Sequence, residues 1–382
     1  MNKELIEHIK SNFKVEFKTN PLLVFSPGRI NLIGEHTDYN DGFVFPAAID
    51  KGIVAAIQKS DSKYCTVFAV DKNEKLKFLL DTIKPIENGG WRNYVLGVIA
   101  EIQKKGIHLN PFEIAFGGDI PDGAGLSSSA ALENSIVFSL NEIFNLNLSK
   151  IEMIAISQKA EHNYVGVKCG IMDQYASMFG QENSALLLDC RSVKSVPYKI
   201  DFSEYQLLLI NTNVKHNLSE STYNDRRSVC EKIANSLQSP TLRDASENDL
   251  LHIKDKISEE EYQKALYVIQ ENKRVIKASQ AIQKNDFNTL GTLLYESHNG
   301  LQKQYKVSCD ELDFLVERAK NYPDVLGARM MGGGFGGCTI NLILKTAVPK
   351  FQKEISDSYK STFNNACSIY TVSLSNGTQV IK

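Results

Sequence analysis

The sequence predicts a mixed α+β protein of about two domains. Three observations carry that prediction: residues 43 to 70 read as successive strands, helical periodicity runs from Ser127 to Phe144, and 382 residues can supply roughly two ordinary cores.

Taken along the chain, Leu5, Ile6, Ile9 and Phe13 recur at helical spacing, and Leu22 to Phe25 form an apolar run that stops at Ser26-Pro27-Gly28. That order predicts helix, strand, turn. Phe43-Val44-Phe45, Ile53 to Ile57 and Thr66 to Val70 are rich in Val, Ile, Phe and Ala between Gly and Asp, as strands are. After a glycine-rich turn, Leu132, Ile136, Leu140, Ile143 and Phe144 share one helical face. From about 250 to 290 the chain is dense in Lys, Glu and Gln, with Tyr262, Leu266, Ile269 and Ile276 spaced for amphipathic helices that turn a solvated face outward. Cys338 to Leu344 and Ser368 to Leu374 alternate as strands. There is no internal repeat or low-complexity tract to mark a linker.

Composition excludes several classes. Hydrophobic residues at 42% and charged residues at 23% are ordinary for a globular enzyme and rule out a wholly disordered or fibrous chain. The 43 basic and 45 acidic residues leave a net charge of -2, without the basic excess that sequence-independent nucleic-acid binding needs. Met1 to Glu7 mixes charge into its apolar residues, unlike a signal peptide, and no apolar run approaches the roughly 20 residues that span a bilayer. Neither nucleic acid nor membrane is an expected partner, and a cytoplasmic location is expected. Seven scattered cysteines without a C-x-x-C pair suggest buried free thiols.

Three segments concentrate chemistry. In Gly117 to Ala131, glycines let the backbone approach an anion, and the following helix offers unpaired N–H groups and its positive dipole end. Phosphate is the natural ligand, although the lysine of G-x-x-x-x-G-K-[ST] is missing, so the loop is not of the Walker type. A plain tight turn into a helix is the rival reading. In Ser26 to Tyr39, Arg29, Asn31, Glu35, His36, Asp38 and Tyr39 crowd hydrogen-bonding groups whose burial demands a polyhydroxylated ligand or mutual pairing. A metal site from Glu35, His36 and Asp38 lacks a second histidine at ligand spacing. In Gly327 to Cys338, Gly332, Gly334 and Gly337 formally spell G-x-G-x-x-G, but a strand follows where a dinucleotide fold needs a helix. Close packing against a backbone or a ligand is the reading that remains. Glu161-His162 and Cys169 to Gln174 form a weaker group, in which a lone Asp173 is by itself a turn or cap residue.

In this order the segments resemble the GHMP small-molecule kinase superfamily. Gly28 to Tyr39 follows the galactokinase signature G-R-x-N-x-I-G-E-H-x-D-Y, and Pro121 to Ala130 is similar to the superfamily phosphate loop P-x-G-x-G-L-S-S-S-A. Ala160 to His162, Cys169 to Gln174, His216 to Arg227 and Val307 to Cys309 extend the resemblance over nearly the whole chain. It implies a two-domain α+β fold with the site in the cleft, residues 1–165 with about 366–382 forming one unit and residues 166–365 the other. Phosphoryl transfer from ATP to the C1 hydroxyl of galactose is the implied activity, with Mg2+ as cofactor and a monomer as the expected state. Arg29 and Asp173 would be catalytic, and Glu35, His36, Asp38, Gly170 and Tyr223 would hold the sugar. Gly123, Ala124, Gly125, Leu126, Ser127, Ser128 and Ser129 would wrap the phosphates, Trp91 would lie near adenine, and Ser129 and Glu161 would ligate the metal. A kinase for N-acetylgalactosamine or arabinose needs only changes in the pocket wall. A non-catalytic galactose sensor is the rival from another class; the known silent type lacks the Ser-Ala step that Ser129-Ala130 supplies here.

Overall fold

A computed structural model of the chain describes residues 2–214 and 219–381, with side chains described to 214 and again from 224. A six-stranded sheet runs Gln379–Val380, Leu22–Asn31, Pro46–Lys59, Phe112–Gly118, Cys65–Ala69, Glu74–Phe78. Its neighbours are antiparallel except Cys65–Ala69 beside Phe112–Gly118. Because strand side chains alternate between faces, Val24, Ala55 and Ile57 pack under the helices Trp91–Lys104, Ser128–Phe144, Lys150–Ala160 and Met172–Phe179. Phe25, Val54 and Ala56 point the other way, onto Ile9 and Phe13 of the helix Lys3–Phe17.

The apolar run at Leu22 does not end in a turn at Ser26. The strand continues to Asn31, with a register shift between Pro27 and Arg29. A proline at a bulge loses no regular ladder bond. The bend lays the strand on the glycine–serine loop: the Arg29 N–H donates to the Leu126 carbonyl at 3.1 Å, and a Cβ on Gly28 would fall 2.6 Å from that same oxygen.

A second, four-stranded sheet is ordered Val325–Met330, Cys338–Leu344, Tyr205–Asn211, Ser368–Val372 and is antiparallel throughout. Leu208, Ile210 and Ile343 face Phe351, Ile355 and Tyr359 of the helix Val348–Phe363. On the opposite face Leu207, Leu209 and Leu342 join Ile30, Leu32, Phe45 and Leu126, so one apolar core spans both sheets and the loops between them. A third sheet pairs Phe43–Val44, Ser184–Asp189 and Lys194–Lys199. The last segment divides its pairing: Ser368–Val372 adds to the second sheet, whereas Gln379–Val380 pairs with the first strand.

The charged stretch after residue 250 holds a 25-residue helix, Glu259–Gln283, started by a Ser258/Glu261 capping box. It is not solvated all along: Glu271 and Asn272 are buried and grip the loop at Gly34 to Phe43. All seven cysteines are free, with Cys65, Cys190, Cys230 and Cys338 buried and the others half-buried. Among the described residues no helix is long and apolar enough to cross a membrane.

Candidate active site

Arg29 leaves the first strand at its bulge and meets Asp173 in the first turn of the helix Met172–Phe179. Nε and Nη2 donate to the two Asp173 oxygens at 2.8 and 3.0 Å, the bidentate fork that only arginine offers. Nη1 donates to the Gly125 carbonyl at 2.7 Å. Burial works against the Arg29 charge, but Asp173 and then Glu35 outweigh it and raise the guanidinium pKa. The arginine side chain is 5% exposed and the aspartate 28%, so the carboxylate is the member presented to a ligand.

Ser127 stands at the helix N-cap position in the left-handed region (φ 58°), yet its side chain caps nothing. Its hydroxyl donates to Asp173 instead. Ordinary N-cap chemistry is thus given up, and the first N–H groups of Ser128–Phe144 are left to another acceptor. Gly123 and Gly125, both at φ 68°, make the loop that precedes them. Gly332 and Gly337 of the third motif lie against this loop, their would-be Cβ atoms 3.4 Å from the Gly125 oxygen and 3.6 Å from the Gly123 oxygen. A Cβ on Gly334 would fall 2.1 Å from the Val307 carbonyl, so that glycine is required by backbone contact alone.

The loop after Asn31 turns through a left-handed His36 (φ 63°). Glu271 accepts from the Gly34 N–H at 3.0 Å and the Ser297 hydroxyl at 2.6 Å, which fixes that turn from the far helix. The His36 ring lies 2.8 Å from the Tyr39 hydroxyl, itself 2.7 Å from that of Tyr305. Burial pushes the His36 pKa down to about 3, so the ring is neutral. Burial, and after it the charge of Asp173, pushes Asp38 up to about 7. A Cβ on Gly170 would fall 1.9 Å from Asp38 Oδ2, so only glycine leaves room for that carboxyl.

Glu161, buried, lines the same cavity as Asp173; Oε2 accepts from Gln174 Nε2 at 3.0 Å. The same amide reaches Glu133 at 3.3 Å, and burial followed by the Glu161 charge raises the Glu133 pKa well above the carboxylate range.

Two cavities result. The first, about 140 Å³, is lined by Arg29, Glu35, His36, Asp38, Glu161 and Asp173 together with Val167, Cys169, Gly170 and Met172. The second, about 290 Å³, is lined by the loop Gly123 to Ser129 with Ile120 and Pro121. Arg29, Asp173, Gly332 and Gly333 are walls of both.

The structure therefore gathers Arg29, Glu35, His36, Asp38, Glu161, Gly170, Asp173 and the Gly123 to Ser129 loop. It does not gather Trp91, which packs edge-on against Phe116 in the first core and donates from Nε1 to Glu74 at 2.8 Å. The Tyr223 side chain lies outside the described residues. Sequence reasoning passes over Glu133, Glu271 and Arg329. A wholly buried guanidinium, Arg329, stands in an otherwise apolar strand, and that contrast is the signal that singles it out.

Comparison with known proteins agrees with this geometry. The galactokinase galactose-binding signature matches residues 11–59, the GHMP kinase amino-terminal domain residues 93–181 and the GHMP kinase carboxy-terminal domain residues 278–361. Galactokinase of Thermotoga petrophila is 39% identical over 358 residues, 94% of this chain and 99% of that protein. Galactokinase of Clostridium beijerinckii is 39% identical over 387 residues, covering 99% and 100% of the two chains. Lactococcus lactis galactokinase, crystallised with galactose, superposes with a TM-score of 0.95 at 34% identity, covering 98% of this chain and 100% of that one. Methanococcus jannaschii mevalonate kinase shares the fold, with a TM-score of 0.67 at 20% identity. This chain belongs to the galactokinase family of GHMP kinases.

Proposed function

We propose that this ATP-dependent sugar kinase transfers the γ-phosphoryl group of ATP to the C1 hydroxyl of galactose, giving galactose 1-phosphate and ADP. One observation carries the reading: a polar cavity and a glycine–serine loop share Arg29 and Asp173 as a common wall. An acceptor in the first cavity and phosphates in the second would meet there, and positioning of that kind is most of what phosphoryl transfer asks of a protein.

In this reading Asp173 accepts or orients the C1 hydroxyl proton while the C1 oxygen forms its bond to the γ-phosphorus. The bond from that phosphorus to the β–γ bridging oxygen breaks, and its electron pair leaves with ADP. Arg29 fixes the Asp173 carboxylate through two hydrogen bonds and stabilises charge on the phosphoryl oxygens. Glu35, His36, Asp38 and Gly170 shape the sugar cavity, and Tyr223 completes it by family resemblance. Gly123, Ala124, Gly125, Leu126, Ser127, Ser128 and Ser129 receive the phosphates on backbone N–H groups and hydroxyls.

The Ser129 hydroxyl and the Glu161 carboxylate are hard oxygen donors, and they suit Mg2+ held by one or two protein oxygens with the nucleotide supplying others. That ion would neutralise charge on the β- and γ-phosphates. Trp91 keeps only its family resemblance as support for an adenine contact, because its indole is engaged in the first core. The two-unit division, 1–165 with 366–382 and 166–365, belongs to the same proposal; Met172 to Cys190 also pack into the first core, and Ser368–Val372 pairs with the second sheet. A monomeric, cytoplasmic enzyme is part of this reading; for the location, the support is seven free thiols of the kind a reducing compartment preserves.

The test is ATP-dependent phosphorylation, with magnesium, of galactose, N-acetylgalactosamine, glucose, arabinose and mevalonate. Product from galactose alone is the expected result. Preference for another sugar would overturn the acceptor assignment, and no product at all would overturn the catalytic one.

A further inference from the structure

We infer that Arg329, acting through Glu35, is a positioning residue that couples the two cavities, so that filling one changes the affinity of the other. The inference rests on the sugar and nucleotide reading above.

Arg329 is the penultimate residue of the strand Val325–Met330 in the second sheet and is wholly buried. Its five N–H groups are all used. Nε donates to the Leu32 carbonyl at 2.7 Å and Nη2 to that of Asn31, which fastens the end of the first-sheet strand. Nη1 donates to the Met330 carbonyl at 2.6 Å, and both terminal nitrogens reach Glu35 Oε1 at 3.2 Å.

Glu35 is the other half of the joint. Oε1 also accepts from the Gly332 N–H at 2.7 Å, and Oε2 accepts from Asn31 Nδ2 at 2.6 Å. With Oε1 taken by three donors, Oε2 is the oxygen left with a lone pair for a ligand hydroxyl in the first cavity. A pull on Glu35 from that cavity is therefore a pull on Gly332. Gly332 in turn lies on Gly125 of the glycine–serine loop, whose carbonyl holds Arg29 Nη1 at 2.7 Å. The contacts form a closed circuit: first cavity, Glu35, Gly332, Gly125, Arg29, Asp173, and back to the first cavity.

Lysine cannot replace this arginine. Its ammonium has three donors on one nitrogen and no planar fork, so it cannot reach Asn31, Leu32, Met330 and Glu35 together. The substitution Arg329→Lys would keep the buried charge paired to Glu35 while loosening the backbone of either the sugar loop or the third motif.

The experiment is isothermal titration of the full chain with galactose and with the magnesium complex of a non-hydrolysable ATP analogue, each ligand alone and each with the other saturating. Wild type is expected to bind the analogue at least about fivefold more tightly with galactose present, within the usual range of allosteric coupling, and by linkage to show the same factor for galactose. Arg329→Lys is expected to bring that factor to about one while the analogue alone binds within about threefold of wild type. If Arg329→Lys does not fold, Glu35→Gln decides the matter: it keeps the side-chain shape and removes the charge that Arg329 holds, and coupling near one supports the inference. Wild type that binds both ligands independently, or coupling that survives in a folded variant, overturns it. Wild type that binds neither ligand fails at the functional reading, and this inference falls with it.

Discussion

In the first cavity Glu35 is already held by Arg329 and Asn31, and His36 by Tyr39, which Tyr305 holds from behind, whereas Gly123, Gly125 and Ser128 on the second face solvent. Side chains fixed by one another define one cavity. Backbone conformation defines the other. A buried polar network with few spare lone pairs discriminates among hydroxyl arrangements, because an unmatched buried group costs about 1–3 kcal/mol. An open glycine loop discriminates little and accepts what its N–H groups and helix end attract, which is anionic oxygen. Selectivity should therefore reside in the first cavity and general phosphate affinity in the second, with the chemistry at the wall between them.

The largest expected effect falls on that wall. Asp173→Asn should lower kcat by about 10³-fold, as loss of a positioned acid–base group does, while nucleotide affinity measured by titration stays near wild type. Phosphorylation at close to the wild-type rate would remove Asp173 from the chemistry. Next comes Gly170→Ala, which puts a methyl group into the Asp38 carboxyl. Sugar KM should rise on the order of 10- to 100-fold, equivalent to about 1.4–2.8 kcal/mol, with nucleotide KM unchanged. With each constant measured at saturating partner substrate, a matching rise in both would mean that Gly170 shapes more than the sugar cavity.

A third prediction uses pH. Asp38 is raised from its ordinary 3.8 to about 7, so its contribution to stability is full below pH 3.8 and is lost as pH rises to about 7. His36 is lowered from 6.5 to about 3, so its contribution is full above pH 6.5 and is lost as pH falls to about 3. Between pH 3.8 and 6.5 the two oppose each other. Asp38→Asn should expose the histidine, and its stability relative to wild type should fall on acidification by up to about 1.4 kcal/mol per pH unit. Urea midpoints at about pH 4.5 and 6.5, inside that window, read this directly; parallel changes in variant and wild type would contradict it. The smallest effect belongs to the open loop. Gly123 has φ 68° and nothing within 4 Å of its would-be Cβ, so Gly123→Ala meets only backbone strain. At about 1–2 kcal/mol for a left-handed residue, nucleotide KM should rise roughly 5- to 30-fold with sugar KM unchanged.

The same contrast explains what can be read without a structure. Gly28 to Tyr39 and Gly117 to Ala131 are contiguous, so glycine content and crowded polar groups point to an anion loop and a polyol site from sequence alone. Long-range partners leave no such local trace. Glu271 and Asn272 sit among lysines and glutamates that read as a solvated face, and only packing across more than 200 residues shows them gripping Gly34 and Phe43. In sequence Ser127 is one of three equivalent hydroxyls; its bond to Asp173 separates it from Ser128 and Ser129. Pro27-Gly28 reads as a stop because turn residues usually are; here they make a bulge inside one strand. Trp91 is placed by resemblance alone, and its partners Phe116 and Glu74 hold it in and beside the first core.

The most direct test of the central claim is where the phosphate ends up. Galactose incubated with ATP, magnesium and the purified chain should give a single phosphorylated sugar whose phosphorus signal couples to the anomeric hydrogen in NMR, because the first cavity and the glycine–serine loop meet at Asp173. Phosphate on the C6 oxygen would place a different hydroxyl at that wall and contradict the account.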